Sequence, residues 1–153
     1  MSKKKLMLLG GSHYLIPAIE AAHKLGVEVI TCDYLPDNYA HKFSDAYYNI
    51  SVIDKDAVLA KARELRIDGI LGFANDAGVV PAAYVATQMG LPTPPLESVE
   101  ILQNKDKFRD FLAANGFNCP WHKGYESKEE AMREWRSGGV EELRVGEFVD
   151  FLL

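Results

Sequence analysis

The chain has 153 residues, 48% apolar and 25% charged, with 17 Lys and Arg against 22 Asp and Glu and a net charge of −5. That is one ordinary domain, or a domain with a tail, and its core needs no covalent staples. The acid excess excludes a general nucleic-acid or membrane-surface binder, because both need clustered Lys and Arg, and the only basic cluster is the solvated run at residues 3–5.

In chain order, residues 6–9 are apolar on both faces, as a parallel strand covered by helices requires. Gly10 and Gly11 follow as a turn. Pro17 suits the first turn of a helix whose stripe is Leu15, Ala18, Ile19 and Ala22 and which ends at Gly26. Residues 27–32 form the second strand, ending at Asp33, and residues 34–44 read as a loop carrying Pro36, Asp37 and Asn38. Residues 47–50 are a short edge strand. Asp54 caps a helix through Leu65, residues 69–73 form the third main strand, and Asn75 or Asp76 caps a helix ending at Gly90. The β-α alternation predicts an α/β, Rossmann-like three-layer parallel sheet over residues 1–95. Residues 96–136 then read as linker helices. One spans about 97–103, one is capped by Asn104, and one opens with a capping box at Ser127 and Glu130 and stops near residues 137–139. Cys32 and Cys119 lack metal-type spacing and read as free thiols in a reducing cytoplasm. The apolar run after residue 5 is too short for a signal peptide or a membrane span.

In such sheets ligands bind outside the carboxyl ends of the strands. Gly10, Gly11, Ser12 and His13 follow the first strand, Asp33 the second, and Asn75 and Asp76 the third. Together they form a candidate substrate-binding rim. Each residue also has a plain structural reading. The glycines serve a tight turn, Asn75 and Asp76 cap a helix, His13 sits on a surface loop, and Asp33 begins the next loop. A nicotinamide-binding Rossmann domain is a competing reading, since Asp33 lies where that fold places its ribose acid. Its glycine fingerprint fails: the turn reads Gly10-Gly11-Ser12-His13-Tyr14-Leu15, with Ser and Leu at the second and third glycine positions.

The most specific stretch is residues 104–120, NKDKFRDFLAANGFNCP. It resembles the linker helix of the ATP-grasp superfamily, with Lys105, Phe108, Arg109, Leu112, Gly116 and Pro120 in register and Asn104 in place of the usual Asp. Residues 8–37, the run RIDGILGFAND and the run VATQMGLPTP are similar to the preceding domain of the same ligases, such as biotin carboxylase and the carbamoyl phosphate synthase large chain. The likeness covers residues 5–130, and its order and spacing carry it more than any one motif. It implies ATP-dependent joining of a carboxylate to an amine, or carbamoyl-phosphate-type chemistry, through an acyl phosphate, with Mg²⁺ on the phosphates. It also implies a small-molecule carboxylate or amine at Gly10, Gly11, Asn75 and Asp76, and contact of Lys105 with the ATP phosphates. Lysine's compact charge suits a polyphosphate. Arg109 is expected to form a structural ion pair.

The catalytic module of those ligases, with its lysine strand, glycine-rich loop and metal-binding Glu and Asn, finds no counterpart in this sequence. The expectation is therefore a substrate-side domain, truncated and inactive alone, which binds neither ATP nor Mg²⁺ tightly by itself. Residues 137–153 are an unassigned tail whose apolar end packs back, meets a partner or marks a cut chain. The alternatives are a stand-alone small-molecule binding module and the NAD(P)-binding domain. A homo-oligomer is left open.

Overall fold

The computed structural model describes residues 3–136. The expected stop of the last helix and the tail at 137–153 lie outside the described residues. Four strands, β1 (Lys5–Leu9), β2 (Glu28–Asp33), β3 (Ala46–Asn49) and β4 (Gly69–Leu71), form one sheet in the order β3-β2-β1-β4. Every pairing is parallel, and in register Leu8 lies opposite Thr31 on one side and Leu71 on the other. The helices are α1 (Ile16–Lys24), α2 (Lys55–Leu65), α3 (Asp76–Met89), α4 (Leu96–Gln103), α5 (Lys105–Ala114) and α6 (Lys128–Arg136). The α/β parallel architecture read from the sequence is therefore the one observed.

Alternation along β1 builds two cores. Leu8 and Val29 join Leu15, Ile19 and Ala22 beneath α1 on one face. Met7, Leu9, Ile30 and Cys32 join Val58, Ala62, Ala82 and Val85 beneath α2 and α3 on the other. Both faces are covered, which is why the strand reads as an unbroken apolar run. Burying each of these large side chains contributes about 1.5–3 kcal/mol. In the same apolar surroundings, burial pushes the Cys32 thiol up to about 12, so it is inert as a nucleophile.

The caps form largely as the sequence indicates. The Asp54 side chain accepts from the Ala57 amide at 3.0 Å and Asn104 from the Lys107 amide at 2.9 Å. Ser127 accepts from the Glu130 amide at 3.2 Å, while Glu130 reaches back to the Glu126 amide, one residue short of a reciprocal box. Two expectations change. The third main strand stops at Leu71, not Phe73, and the loop at 34–44 contains a 3₁₀ turn, Tyr39–Lys42. Strand β4 ends early because the chain must bend at once into α3. A Cβ on Gly72 would lie 2.6 Å from the Gly78 carbonyl carbon and 2.8 Å from the Val79 nitrogen, so strand end and helix touch backbone to backbone.

Strands β1, β2 and β3 run outward in one direction, and the chain then returns to place β4 on the far side of β1. The carboxyl ends of β1 and β4 thus flank a topological switch point, where a crevice opens in sheets of this kind.

Two outcomes follow from these contacts. Gly72→Ala has no flexible neighbour to displace, so it should lower stability by about 1–3 kcal/mol, read as a lower urea midpoint. Asp45 accepts from the Val29 amide at 2.7 Å and pairs with His23 Nε2 at 2.8 Å. The amide bond foremost, and then His23, hold its carboxyl below the ordinary aspartate value. The stability this supplies is present above that ordinary value and should be lost as pH falls through the lower folded value. Urea titrations of wild type and Asp45→Asn across the acid range check it, because the variant should lose that part of the pH dependence.

Candidate functional site

The crevice is built from two turns. On the β1 side Gly10 has φ +121°, a conformation open to glycine and strained for other residues, and its amide continues the ladder to the Cys32 carbonyl at 2.7 Å. The next two amides, of Gly11 and Ser12, donate to no group among the described residues. They lie at the entry to the 3₁₀ turn His13–Leu15 and α1, where N–H groups and the helix dipole favour an anion.

On the β4 side Ala74 has φ +50°, one of two non-glycine residues with positive φ among the described residues. This left-handed residue, strained by about 1–2 kcal/mol, swings Asn75 back over β1. Asn75 Nδ2 then donates to the Leu9 carbonyl at 3.1 Å. A Cβ on Gly10 would come within 2.9 Å of the same nitrogen, so a bare backbone here lets the two turns meet. Asn75 does occupy the N-cap position of α3, but its side chain makes no cap bond. It ties the two strand ends together instead, a correction to its reading as a cap. Asp76, the first residue of α3, is exposed at the rim.

The other side of the diglycine turn is closed. The loop at 34–44 folds over it, with the Ala40 amide donating to the Gly11 carbonyl at 2.9 Å. A Cβ on Gly11 would sit 2.5 Å from the His41 ring and 2.6 Å from Asn38 Cβ. Asp33 serves this loop. It is 7% exposed, and its two oxygens accept from the Leu35 amide at 3.0 Å and from Asn38 Nδ2 at 2.9 Å. Its carboxylate is therefore engaged with the loop that follows β2.

Beneath the loop, fully buried Thr31 lies 2.9 Å from both His41 Nδ1 and Ser44 Oγ, and Ser44 donates within the loop to the His41 carbonyl. His41 Nε2 donates to the Leu35 carbonyl at 3.1 Å, and the ring stacks on Tyr47 at 3.9 Å. Burial pulls the His41 pKa down from its ordinary value, against the raising influence of the Leu35 carbonyl and Asp33. Sequence reasoning missed Asn38 and His41. The available signal was Thr31, a polar residue inside an otherwise apolar strand end.

His13 is exposed, with its ring 4.0 Å from that of Tyr14 and no hydrogen-bond partner among the described residues. Lys105 is exposed at the first position of α5, which packs on α4, which in turn packs on α3. Arg109 is half-buried and forms no ion pair among the described residues, contrary to expectation. No group of three or more His, Cys, Asp or Glu among the described residues is placed to hold a metal ion. No helix among them is long and apolar enough to cross a membrane.

The turn amides of Gly11 and Ser12, the bridging Asn75 and the exposed Asp76 thus lie on the two turns that flank the switch point. The fold is shared with solved ATP-grasp ligases, consistent with the pre-ATP-grasp N-terminal domain that the sequence resembles. A solved phosphoribosylglycinamide synthetase from Anaerococcus prevotii matches 89% of this chain with 35% of its own, at TM-score 0.72 and 20% identity. The biotin carboxylase domain of Hydrogenobacter thermophilus 2-oxoglutarate carboxylase, solved with MgADP, ADP and bicarbonate, matches 90% of this chain and 33% of its own at TM-score 0.63 and 18% identity. In sequence, the chain is similar to formate-dependent phosphoribosylglycinamide formyltransferases. The one from Burkholderia thailandensis is 30% identical over 146 residues, covering 77% of this chain and 35% of that protein. The chain spans about a third of the length of the curated relatives it matches. No family model matches it.

Asn75→Asp removes the donor to the partly buried Leu9 carbonyl and sets an acid against it. It should lower stability by about 1–3 kcal/mol in urea unfolding, whereas exposed Asp76→Asn should change it by no more than about 1 kcal/mol. Equal effects would contradict the bridge.

Proposed function

We propose that this chain is the substrate-side domain of an ATP-grasp carboxylate–amine ligase, and that its rim takes a phosphoribosylated amine of the phosphoribosylglycinamide type. The observation that carries this reading is the rim itself. The amides of Gly11 and Ser12 donate to no group among the described residues, and a phosphate is the ligand such a turn suits best. Gly10 and Asn75 hold its two walls in contact, and Asp76 stands where it can accept from an amine. The names of the relatives agree with that ligand class.

ATP and Mg²⁺ belong, on this reading, to a nucleotide module outside these 153 residues, and Lys105 is the residue that would reach its phosphates. The linker helices suit such a neighbour. Helices α5 and α6 contain no buried residue, and Phe111 and Trp121 are each about half exposed along this region. Apolar side chains left open in this way call for a covering surface. The setting is a reducing cytoplasm, in keeping with the free thiols of Cys32 and Cys119.

The nicotinamide reading loses its main support, because Asp33 is buried and engaged and the Gly11 face is filled by His41 and Asn38. A stand-alone binding module shares the rim and differs in needing no neighbour.

Thermal denaturation with added ligands separates these readings. Phosphoribosylglycinamide should stabilise the chain, by about 2.7 kcal/mol at a hundredfold excess over Kd. MgATP and NADH should not, and the chain alone should not hydrolyse ATP. Turnover of ATP, or stabilisation by NADH and not by the phosphoribosyl amine, would overturn the proposal.

A further inference from the structure

We propose that the loop at 34–44 is a positioning element for the diglycine turn: its grip on the Gly11 carbonyl aims the Ser12 amide, and Asn38 is the positioning residue that holds the grip through Asp33. What this does to binding rests on the ligand reading above; the orientation of the amide in the free chain does not.

The Gly11 carbonyl and the Ser12 N–H belong to one planar peptide, and no peptide among the described residues is cis. The two groups therefore point in opposite directions, and whatever holds one sets the other. The Ala40 amide holds the carbonyl, at 2.9 Å, so the Ser12 N–H is turned away from that contact. Local sterics do not supply this orientation, because Gly10 and Gly11 both lack a Cβ and leave the plane free to rotate. The peptides on either side have holders of their own. The Leu9 carbonyl accepts from Asn75 Nδ2 at 3.1 Å, while the Gly10 amide of the same peptide donates to the Cys32 carbonyl at 2.7 Å. The Ser12 carbonyl accepts from the Leu15 amide at 3.0 Å. Among the described residues, Ala40 is the one group that bonds the Gly11–Ser12 peptide at either end. The same bond draws charge toward the Gly11 oxygen and makes the Ser12 N–H a stronger donor.

Ala40 is placed by the loop around it. Its side chain is buried with Leu8, Leu15 and Ile19, and its amide is aimed by the 3₁₀ turn it sits in. That turn starts at Asn38, whose carbonyl accepts from the His41 amide at 3.2 Å and whose side-chain nitrogen donates to Asp33 Oδ2 at 2.9 Å. The other oxygen, Oδ1, takes the Leu35 amide at 3.0 Å. Buried Asp33 thus fastens both ends of residues 35–38 to the end of β2. The fit of loop to turn is close, since a Cβ on Gly11 would lie 2.6 Å from Asn38 Cβ. Asn38 therefore acts on the Ser12 amide at one remove, through Ala40 and the Gly11 carbonyl.

Asn38→Asp removes the donor and sets two acids against each other, whereas the double variant Asp33→Asn/Asn38→Asp restores the bond with amide and acid exchanged. NMR on the whole chain reads the outcome. In wild type a scalar coupling across the hydrogen bond should join the Ala40 nitrogen to the Gly11 carbonyl carbon. It should vanish in Asn38→Asp, the Ser12 amide nitrogen should shift with it, and both should return in the double variant. The β1 amides should keep their shifts throughout, which a general loss of structure would not allow. Titrated with phosphoribosylglycinamide, Asn38→Asp should bind about tenfold more weakly than wild type, as for one misaligned hydrogen bond to a charged group, and the double variant should regain the loss. Ser12 has φ −70°, which proline shares, so Ser12→Pro deletes the N–H alone. It should keep the Ala40–Gly11 coupling and bind at least as weakly as Asn38→Asp. A coupling that persists in Asn38→Asp, or that does not return in the double variant, would overturn the proposal. So would equal, measurable affinity in wild type and Asn38→Asp. A wild type that shows the coupling and the free-chain responses but binds no phosphoribosylglycinamide would overturn the ligand reading and uphold the positioning of the amide.

Discussion

The bond from the Asn75 side chain to the Leu9 carbonyl spans the one place in the sheet where the chain reverses its direction of travel. Strands β1 and β4 are neighbours in space and sixty residues apart in sequence, and beyond their last ladder bonds nothing in the backbone obliges their turns to stay together. The amide bond does so, and it depends on two permissive backbones. Gly10 has no side chain to strike Asn75, and Ala74 takes a left-handed turn that aims Asn75 inward. Close approach of Gly72 to Gly78 then fixes how α3 leaves the sheet. The rim is therefore assembled from backbone geometry first and side-chain chemistry second.

Much of this was legible in the sequence, and the limits have physical causes. The apolar runs at 6–9 and 27–32 gave buried parallel strands, because strands covered on both faces have no polar side to hide. The helix starts at Asp54 and Asn104 and the ATP-grasp likeness of residues 104–120 were equally readable. What misled was the ambiguity of short polar side chains. Asn75 at a helix start looks like a cap, and only the geometry of Ala74 shows that it bonds elsewhere. Asp33 after a strand looks like a ligand, and only the folded loop shows Leu35 and Asn38 occupying its oxygens. His41 carried no local pattern at all. Its role comes from Thr31 and Gly11, partners ten and thirty residues away.

The polar cluster around Thr31 and the free amides beyond Gly10 divide the diglycine turn between two tasks. One side is sealed by protein groups, so a ligand does not have to compete with water there. On the other side, the Gly11 and Ser12 amides have no partner among the described residues. An arrangement of this kind can bind and orient a small anion. On the proposed reading, this domain contributes binding and a neighbouring module the chemistry.

The central claim is that ligand recognition resides at the switch-point rim. Mapping ¹H–¹⁵N chemical-shift changes on titration with phosphoribosylglycinamide tests it most directly. The account requires the largest, saturable shifts at Gly10, Gly11, Ser12, Asn75 and Asp76. Shifts confined to α5 and α6, or to the opposite, amino-terminal edge of the sheet, would contradict it.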